Sequence, residues 1–370
     1  MRRGTAHPRG AWAGASGLGK AGYLGTAFVT VAVMVLSLAA DVIYTNLEGN
    51  IHSVTVNGLT QRSVAGVQNI LVLGSQTRMG QRGHFGPDLF TNNSDNLLLV
   101  HLDATHTHAT VLSIPRDTMV YEPGCRAVPR VGRGIWGPYP SAIIDGAMNI
   151  GGPSCAVATV EDLTGIRLDH FVEFDFNSFR TMVDAIGGVE VCVPPGGYRD
   201  PWSRLRLSGG RHLLTYNQAL AYVRTRHGVG DGGDLGRIEL QQAFISSVIQ
   251  KVNNQGILNN SVGLLRIADT ATKALTVDQG LDSVDSLLAL ARSLTGLHAR
   301  NVTLLTMPTM LDPADPNRLV PQQPEDDLLF QMLRTGKLWR HHLSTLPAGK
   351  VSVRVLNGTG TAGLAGHTAT

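Results

Sequence analysis

The first sustained apolar stretch is AGYLGTAFVTVAVMVLSLAA, residues 21–40, twenty positions without a charge. At about 1.5 Å rise per residue it covers the roughly 30 Å hydrocarbon core of a bilayer. Arg2, Arg3, Arg9 and Lys20 precede it, and the first acidic residue, Asp41, follows it. That asymmetry predicts one transmembrane anchor over 21–44, with a basic tail (1–20) in the cytoplasm and everything downstream exported. Other readings are a buried core helix and a cleaved signal peptide. The apolar core of a signal peptide is usually shorter, about 7–15 residues, although Ser37-Leu38-Ala39 could pass as a weak cleavage site. The polar, mixed stretch 45–66 reads as a stalk.

Beyond the stalk the apolar runs shorten. NILVLG (69–74), NLLLVHL (96–102) and ATVLSI (109–114) have the pattern of fully buried strands, the last two joined by a polar turn at 103–108. A Gly- and Pro-rich stretch, 123–140, reads as an irregular loop. GGPSCAVATVEDLTG (151–165) places proline just inside a helix start and Gly165 just past its end. HFVEFD (170–175) is extended, and Phe179, Met182, Val183 and Ile186 then fall at helical spacing before Gly187-Gly188. Val189, Val191 and Val193 alternate with Glu190 and Cys192, as in a strand. After a loop at 194–212, YNQALAYV is helical. Residues 233–252 form a long amphipathic helix that turns Ile238, Phe244, Ile245, Val248 and Ile249 inward. Helices at 258–270 and 279–295 and a strand at 301–307 complete an α/β domain over 67–310. Residues 311–350, richer in proline and charge, read as a linker. VSVRVLNGTGTAGLAG, from 351, opens a further strand and turn of a domain that 351–370 would only begin.

Charge alters this picture little. The net +3 comes from the four basic residues of the head; without them 27 basic residues face 28 acidic ones. No nucleic-acid binder is indicated. Cys125, Cys155 and Cys192 make no CxxC pair and lie at no zinc-finger spacing, and an odd count allows at most one intramolecular bridge.

The chain lacks G-x-S-x-G, a Walker loop and H-E-x-x-H. His101, His106 and His108 lie on or beside a turn and read as solvated. Arginine stands out instead. LSIPRDT (112–118) delivers Arg116 and Asp117 at a strand tip, either as a local ion pair or with the arginine displayed to an anion. AYVRTRHG sets Arg224 and Arg226 two apart, on one side of an extended segment. GRIELQ sets Arg237 and Gln241 four apart on one helix face. Each arginine alone fits a surface ion pair; four at element ends fit phosphate, whose oxygens match the guanidinium fork. Asp95, just before a strand, adds a carboxylate able to hold Mg²⁺.

NILVLGSQTR, NSDNLLLVHL, LSIPRD, GGPSCAVATVEDLTGI, HFVEFDFNSFRTMVDAIGGVEVCVP, ALAYVRTRHG and GDLGRIELQQ occur in the order typical of the LytR-CpsA-Psr family, which the chain resembles over about 67–255. The segment from 351 resembles the start of a LytR C-terminal domain. The resemblance implies a central mixed β-sheet flanked by helices, on a membrane-anchored protein whose C-terminal domain is extracellular. It implies a phosphotransferase that moves a glycopolymer phosphate from a polyprenyl-pyrophosphate carrier to a peptidoglycan hydroxyl, with an apolar tunnel for the prenyl chain. Asp95 matches a Mg²⁺-binding aspartate; Arg116, Arg224, Arg226, Arg237 and Gln241 match the pyrophosphate-binding set, and Arg78 another family arginine. Asp117 is expected to orient Arg116. Two positions depart from the pattern: Gln76 stands where an aspartate is usual, and Asn93 where an arginine often is. An uncharged Gln76 predicts weak metal binding before substrate arrives. A polyprenyl-pyrophosphate hydrolase and a non-catalytic lipid-phosphate-binding or wall-sensing protein remain as alternatives. In an oxidising compartment Cys125 and Cys155 are expected to pair, because Cys155 opens a helix beside the loop carrying Cys125, leaving Cys192 as a free thiol.

Overall fold

The apolar run becomes one long helix, α1 (Gly17–Asn50), in the computed structural model, which describes residues 17–59, 66–75, 92–129, 131–230, 232–254 and 261–336. Phe28, Val31, Met34 and Leu38 are largely exposed. Among the described residues this is the one helix long and apolar enough to cross a membrane. It runs past the expected end at 44, and the expected stalk is partly built into the domain. Leu47 is buried, Glu48 Oε1 accepts from the Val284 amide at 3.1 Å, and β1 (His52–Val54) pairs with a sheet strand. The polar composition of this stretch concealed a three-residue edge strand, too short to show a period.

Three strands follow as expected: β2 (Gln68–Ser75), β3 (Ser94–Leu102) and β4 (Ala109–Ile114). The loop expected at 123–140 contains short pairs instead, β5 (Met119–Glu122) with β8 (Tyr139–Ile143), and β6 (Cys125–Arg126) with β7 (Ile135–Trp136). Helix α2 (Ala147–Thr164) breaks its geometry at Gly152, φ 66°, so that Pro153 opens the second half, and Gly165 caps it in the left-handed conformation. Next come β9 (His170–Phe174) and α3 (Phe176–Ala185), capped by Asp175. The strand β10 (Val189–Val193) is present but outside the main sheet. It pairs with β13 (Gly210–Leu214), after the hairpin of β11 (Tyr198–Asp200) and β12 (Leu205–Leu207) that occupies the expected loop.

Helices α4 (Tyr216–Arg224), α5 (Asp234–Asn254) and α6 (Ser261–Ala274) lead to β14 (Leu275–Asp278), which the periodicity did not reveal. After α7 (Val284–Leu294) and β15 (Val302–Thr306), the expected linker is folded as far as residue 336. It holds β16 (Thr309–Leu311), β17 (Leu319–Pro321) and α8 (Glu325–Arg334). Its acidic run, Glu325 to Asp327, is the first turn of α8, where carboxylates suit the helix dipole. The segment from 351 lies outside the described residues.

The main sheet has the order β1-β14-β9-β2-β3-β4-β15 and mixes parallel and antiparallel pairs. Leu71, Leu73, Leu97, Leu99 and Leu112 pack one face against α2 and against Phe330 and Leu333 of α8. Ile70, Val72 and Val100 pack the other with Leu290 and Leu297. Burial on both faces explains why these strands read as continuous apolar runs. A second core joins β10, β12 and β13 to α3, α4 and α5. Cys125 and Cys155 form the expected disulfide, Cα–Cα 5.5 Å, and Cys192 is an exposed free cysteine.

Candidate functional site

The site begins with a strand register. β3 and β4 are antiparallel with Leu97 opposite Ile114. Two residues further along, Asp95 stands opposite Arg116, and Arg116 Nη1 donates to Asp95 Oδ1. β2 and β9 end at this edge too, with Ser75 opposite Ser94 and Gly74 beside Phe174. Ligands of open α/β sheets characteristically bind beyond such strand ends.

Helix α5 aims its first turn at the same point. Asp234 and Arg237, three apart, share a face, and Arg237 Nη2 pairs with Asp234 Oδ1. Arg237 also lies 3.6 Å (Nη1) from Asp95 Oδ1 and donates through Nη2 to the Asp95 carbonyl at 3.2 Å. Arg116 Nε is 3.8 Å from both Asp117 Oδ1 and Asp234 Oδ1. Arg226 Nη2 is 3.7 Å from Asp117 Oδ2 and 3.8 Å from Asp234 Oδ1. Arg318 joins from the segment before β17: the Leu319 amide bonds the Asp117 carbonyl, and Arg318 Nη1 is 3.7 Å from Asp117 Oδ1. Four guanidinium groups therefore share Asp95, Asp117 and Asp234.

Arg116, Arg226, Arg237, Asp95 and Asp117 thus come together as expected from the sequence. Arg224 lies alongside, its guanidinium 4.8 Å above the Phe176 ring, and Gln241 Nε2 donates to the Val223 carbonyl at 3.1 Å. Gln76 and Arg78 lie outside the described residues. Sequence reasoning missed Asp234, whose place three before Arg237 at a helix start was a readable signal. It also missed Arg318, which sits in the stretch read as a linker.

Burial sets the electrostatics. It pushes the Asp234 carboxyl above its usual range, with Arg237 and Arg116 opposing, and pushes the Arg237 guanidinium down against the pull of Asp234. For Arg116 burial acts downward too, but Asp95, Asp117 and Asp234 outweigh it and hold the charge more firmly. The Nε atoms of Arg116 and Arg237 are buried without a hydrogen-bond partner among the described residues. Such fixed, desolvated donors favour an anion without reorganisation when it arrives.

Arg226 is positioned by a carboxylate outside the cluster. Asp200, 1% exposed, accepts from the amides of Arg226 at 3.0 Å, His227 at 3.2 Å and Trp202 at 2.9 Å. Burial would raise this carboxyl, but those amides hold it below its ordinary value of 3.8. A depressed folded pKa stabilises the fold above the unfolded value, and the gain is lost as pH falls through the folded one. Asp200→Ala should cost about 1–3 kcal/mol by orphaning these amides and weaken anion binding through Arg226. Thermal melts at pH 7 and at pH 3 should differ less for the variant than for the parent; equal pH dependence in both would count against this role.

Beside Arg224, Arg237 and Gln241 opens a cavity of about 230 Å³. Ser75, Asp95, Asn96 and Asp175 also border it, and the rest of its wall is apolar, including Phe179 from α3 and Phe244, Ile245, Val248 and Ile249 from α5. The residues expected to point inward on α5 do so, and several of them line space rather than solid core. One end of the cavity is cationic and polar, the rest accepts hydrocarbon.

Comparisons with known proteins place the chain in a family. The LytR_cpsA_psr family model matches residues 31–334. The chain is 30% identical over 311 residues to the cell wall biosynthesis protein LcpA of Corynebacterium glutamicum, covering 76% of this chain and 58% of that protein. It is 30% identical over 225 residues to the polyisoprenyl-teichoic acid–peptidoglycan teichoic acid transferase TagU of Oceanobacillus iheyensis, covering 60% of this chain and 61% of that one. The chain spans about three fifths of the length of these curated relatives. Among solved structures, the LytR-Csp2A-Psr enzyme from Actinomyces oris superposes with a TM-score of 0.58 at 26% identity, over 76% of this chain and 95% of that one. With the matched region running from within α1 through α8, and with the arginine cluster and mixed sheet inside it, the chain belongs to the LytR-CpsA-Psr family.

Proposed function

We propose that this protein is a membrane-anchored, extracytoplasmic phosphotransferase that moves a glycopolymer phosphate from a polyprenyl-pyrophosphate carrier to a hydroxyl of peptidoglycan. The observation that carries the reading is the junction of the arginine cluster with an apolar cavity, since Arg224 and Arg237 line the cavity while Arg237 belongs to the cluster. A pyrophosphate carrying a prenyl chain has this same division. Basic residues before α1 favour a cytoplasmic N-terminus, with the domain outside. The name of TagU supports the reaction class, and that of LcpA the cell-wall setting.

In this reaction the acceptor hydroxyl attacks the phosphorus that bears the glycan. The bond to the bridging oxygen breaks, polyprenyl phosphate departs, and the acceptor's proton ends on that monophosphate. The protein's task is positioning and charge neutralisation. Arg116, Arg226 and Arg237 are placed to hold the pyrophosphate oxygens, and the α5 residues to hold the first isoprene units.

Magnesium suits the acidic side of the site. Burial raises the Asp145 carboxyl, with Asp117 and Asp95 adding to the shift and Asn93 and Arg116 opposing it. Mg²⁺ takes one or two carboxylates with phosphate oxygens, so Asp95 and Asp145 would hold it, and its charge would neutralise the transferring group. Gln76 adds no charge. Gln76→Asp should tighten Mg²⁺ binding measured by calorimetry without substrate, and no change would place position 76 outside the metal's surroundings.

The reading is tested by incubating the chain with a polyprenyl-pyrophosphoryl glycan, with and without peptidoglycan. Acceptor-dependent release of polyprenyl phosphate supports transfer. Acceptor-independent release points to a hydrolase, and tight binding without turnover to a non-catalytic sensor.

A further inference from the structure

Outside the cluster, the turn between β11 and β12 displays Trp202, 74% exposed. A tryptophan so open to water has to be justified by something other than core packing. One face of its ring lies on His227, centroids 4.0 Å apart and 24° from parallel, and the exposure leaves the other face to solvent. The turn is built rather than loose. Arg204 takes a positive φ of 61°, uncommon for a residue with a side chain, and Ser203 Oγ bonds Thr225 Oγ1 at 2.8 Å. Asp200 ties the amides of Trp202, Arg226 and His227 to one carboxylate. His227 directly follows Arg226, so the residue that backs the ring belongs to the same loop as the cluster arginine.

We propose that Trp202, backed by His227, is a stacking platform for the sugar ring joined to the pyrophosphate of the lipid-linked substrate, which rests on the reading given under Proposed function. The axial C–H bonds of a pyranose carry partial positive charge and pack on the electron-rich face of an indole. Because one carboxylate holds the amides of both Trp202 and Arg226, a sugar attached directly to a pyrophosphate at Arg226 is the substrate unit that this loop would meet first. The platform selects for a sugar at that position, while the arginines bind the phosphates whatever they carry.

The test uses the full chain in detergent and two probes, farnesyl pyrophosphate and farnesyl-pyrophosphoryl-N-acetylglucosamine. Trp202→Ala should raise Kd for the sugar-bearing probe about five- to tenfold, the scale of one aromatic contact, and leave Kd for the sugar-free probe unchanged. Trp202→Phe should restore most of the loss. An equal rise for both probes would show that Trp202 acts only through the loop that holds Arg226, and no rise for either would show that the ring touches nothing; each overturns the proposal. If the parent protein binds neither probe, the pyrophosphate reading itself fails, and this proposal with it.

Discussion

Replacing Arg116 by alanine should lower transfer by about 10²–10³, the cost of removing one anion-stabilising contact from a transition state, or roughly 3–4 kcal/mol. The arginine stands at the centre of the cluster, paired with Asp95 and near Asp117 and Asp234. That centrality also changes what alanine does to the fold. A strand-tip arginine read from sequence would leave the fold intact when truncated, whereas here three partly buried carboxylates lose a counter-charge. Breaking a buried pair can cost several kcal/mol, less where water still reaches the groups, as it does here. Arg116→Lys separates the two effects. Lysine keeps the charge near the carboxylates but lacks the fork that meets two phosphate oxygens. The lysine variant should melt close to the parent and still lose at least tenfold in turnover. Parental turnover in a folded Arg116→Lys or Arg116→Ala protein would remove Arg116 from the chemistry.

The second large effect concerns stability. The Cys125–Cys155 bridge closes a loop of sequence separation 30 and ties β6 to the second half of α2. Loop-closure entropy for that length corresponds to about 3–4 kcal/mol. Cys125→Ser with Cys155→Ser should therefore lower Tm by roughly 10 °C in a domain of this size. Gly151 packs directly on the bridge, where an added Cβ would meet Cys155 Cβ at 2.6 Å and Cys125 Cβ at 2.9 Å. Calorimetric scans of the double variant and of the Cys192→Ser control check this. The control should be silent, because Cys192 is exposed and unbridged. A double variant as stable as the parent would mean that the unfolded chain gains nothing from losing the constraint.

Much of the site was present in local sequence. The turn at 103–108 pairs Leu102 with Ala109, and counting back along both strands brings Asp95 to Arg116. The facing of these opposite charges follows from that hairpin alone. Asp234 and Arg237 likewise follow from helical spacing. What local pattern could not supply was pairing at a distance. β10 has a clean alternation, yet its partner is β13 rather than a strand of the main sheet, because both of its neighbours belong to the second core. β1 and β14 are too short for a period to show; β1 is held by β14, and β14 also pairs with β9. Arg318 reaches the cluster only because β17 lies against the segment carrying Asp117, a contact between residues some two hundred positions apart. The α5 residues were legible as inward-facing, but whether they enclose space or fill it depends on α3 across the gap, which no periodicity reports.

The proposed reaction leaves one phosphate on the glycan and sends the other away with the prenyl chain. Its most direct measurement uses a polyprenyl-pyrophosphoryl glycan carrying ³²P only on the glycan-side phosphorus, given to the full chain with peptidoglycan. The label should appear in a phosphodiester linked to peptidoglycan, with one unlabelled polyprenyl monophosphate released per glycan joined, and neither product should form without the acceptor. Release of the labelled phosphate to water, or of polyprenyl phosphate at the same rate without peptidoglycan, would contradict it.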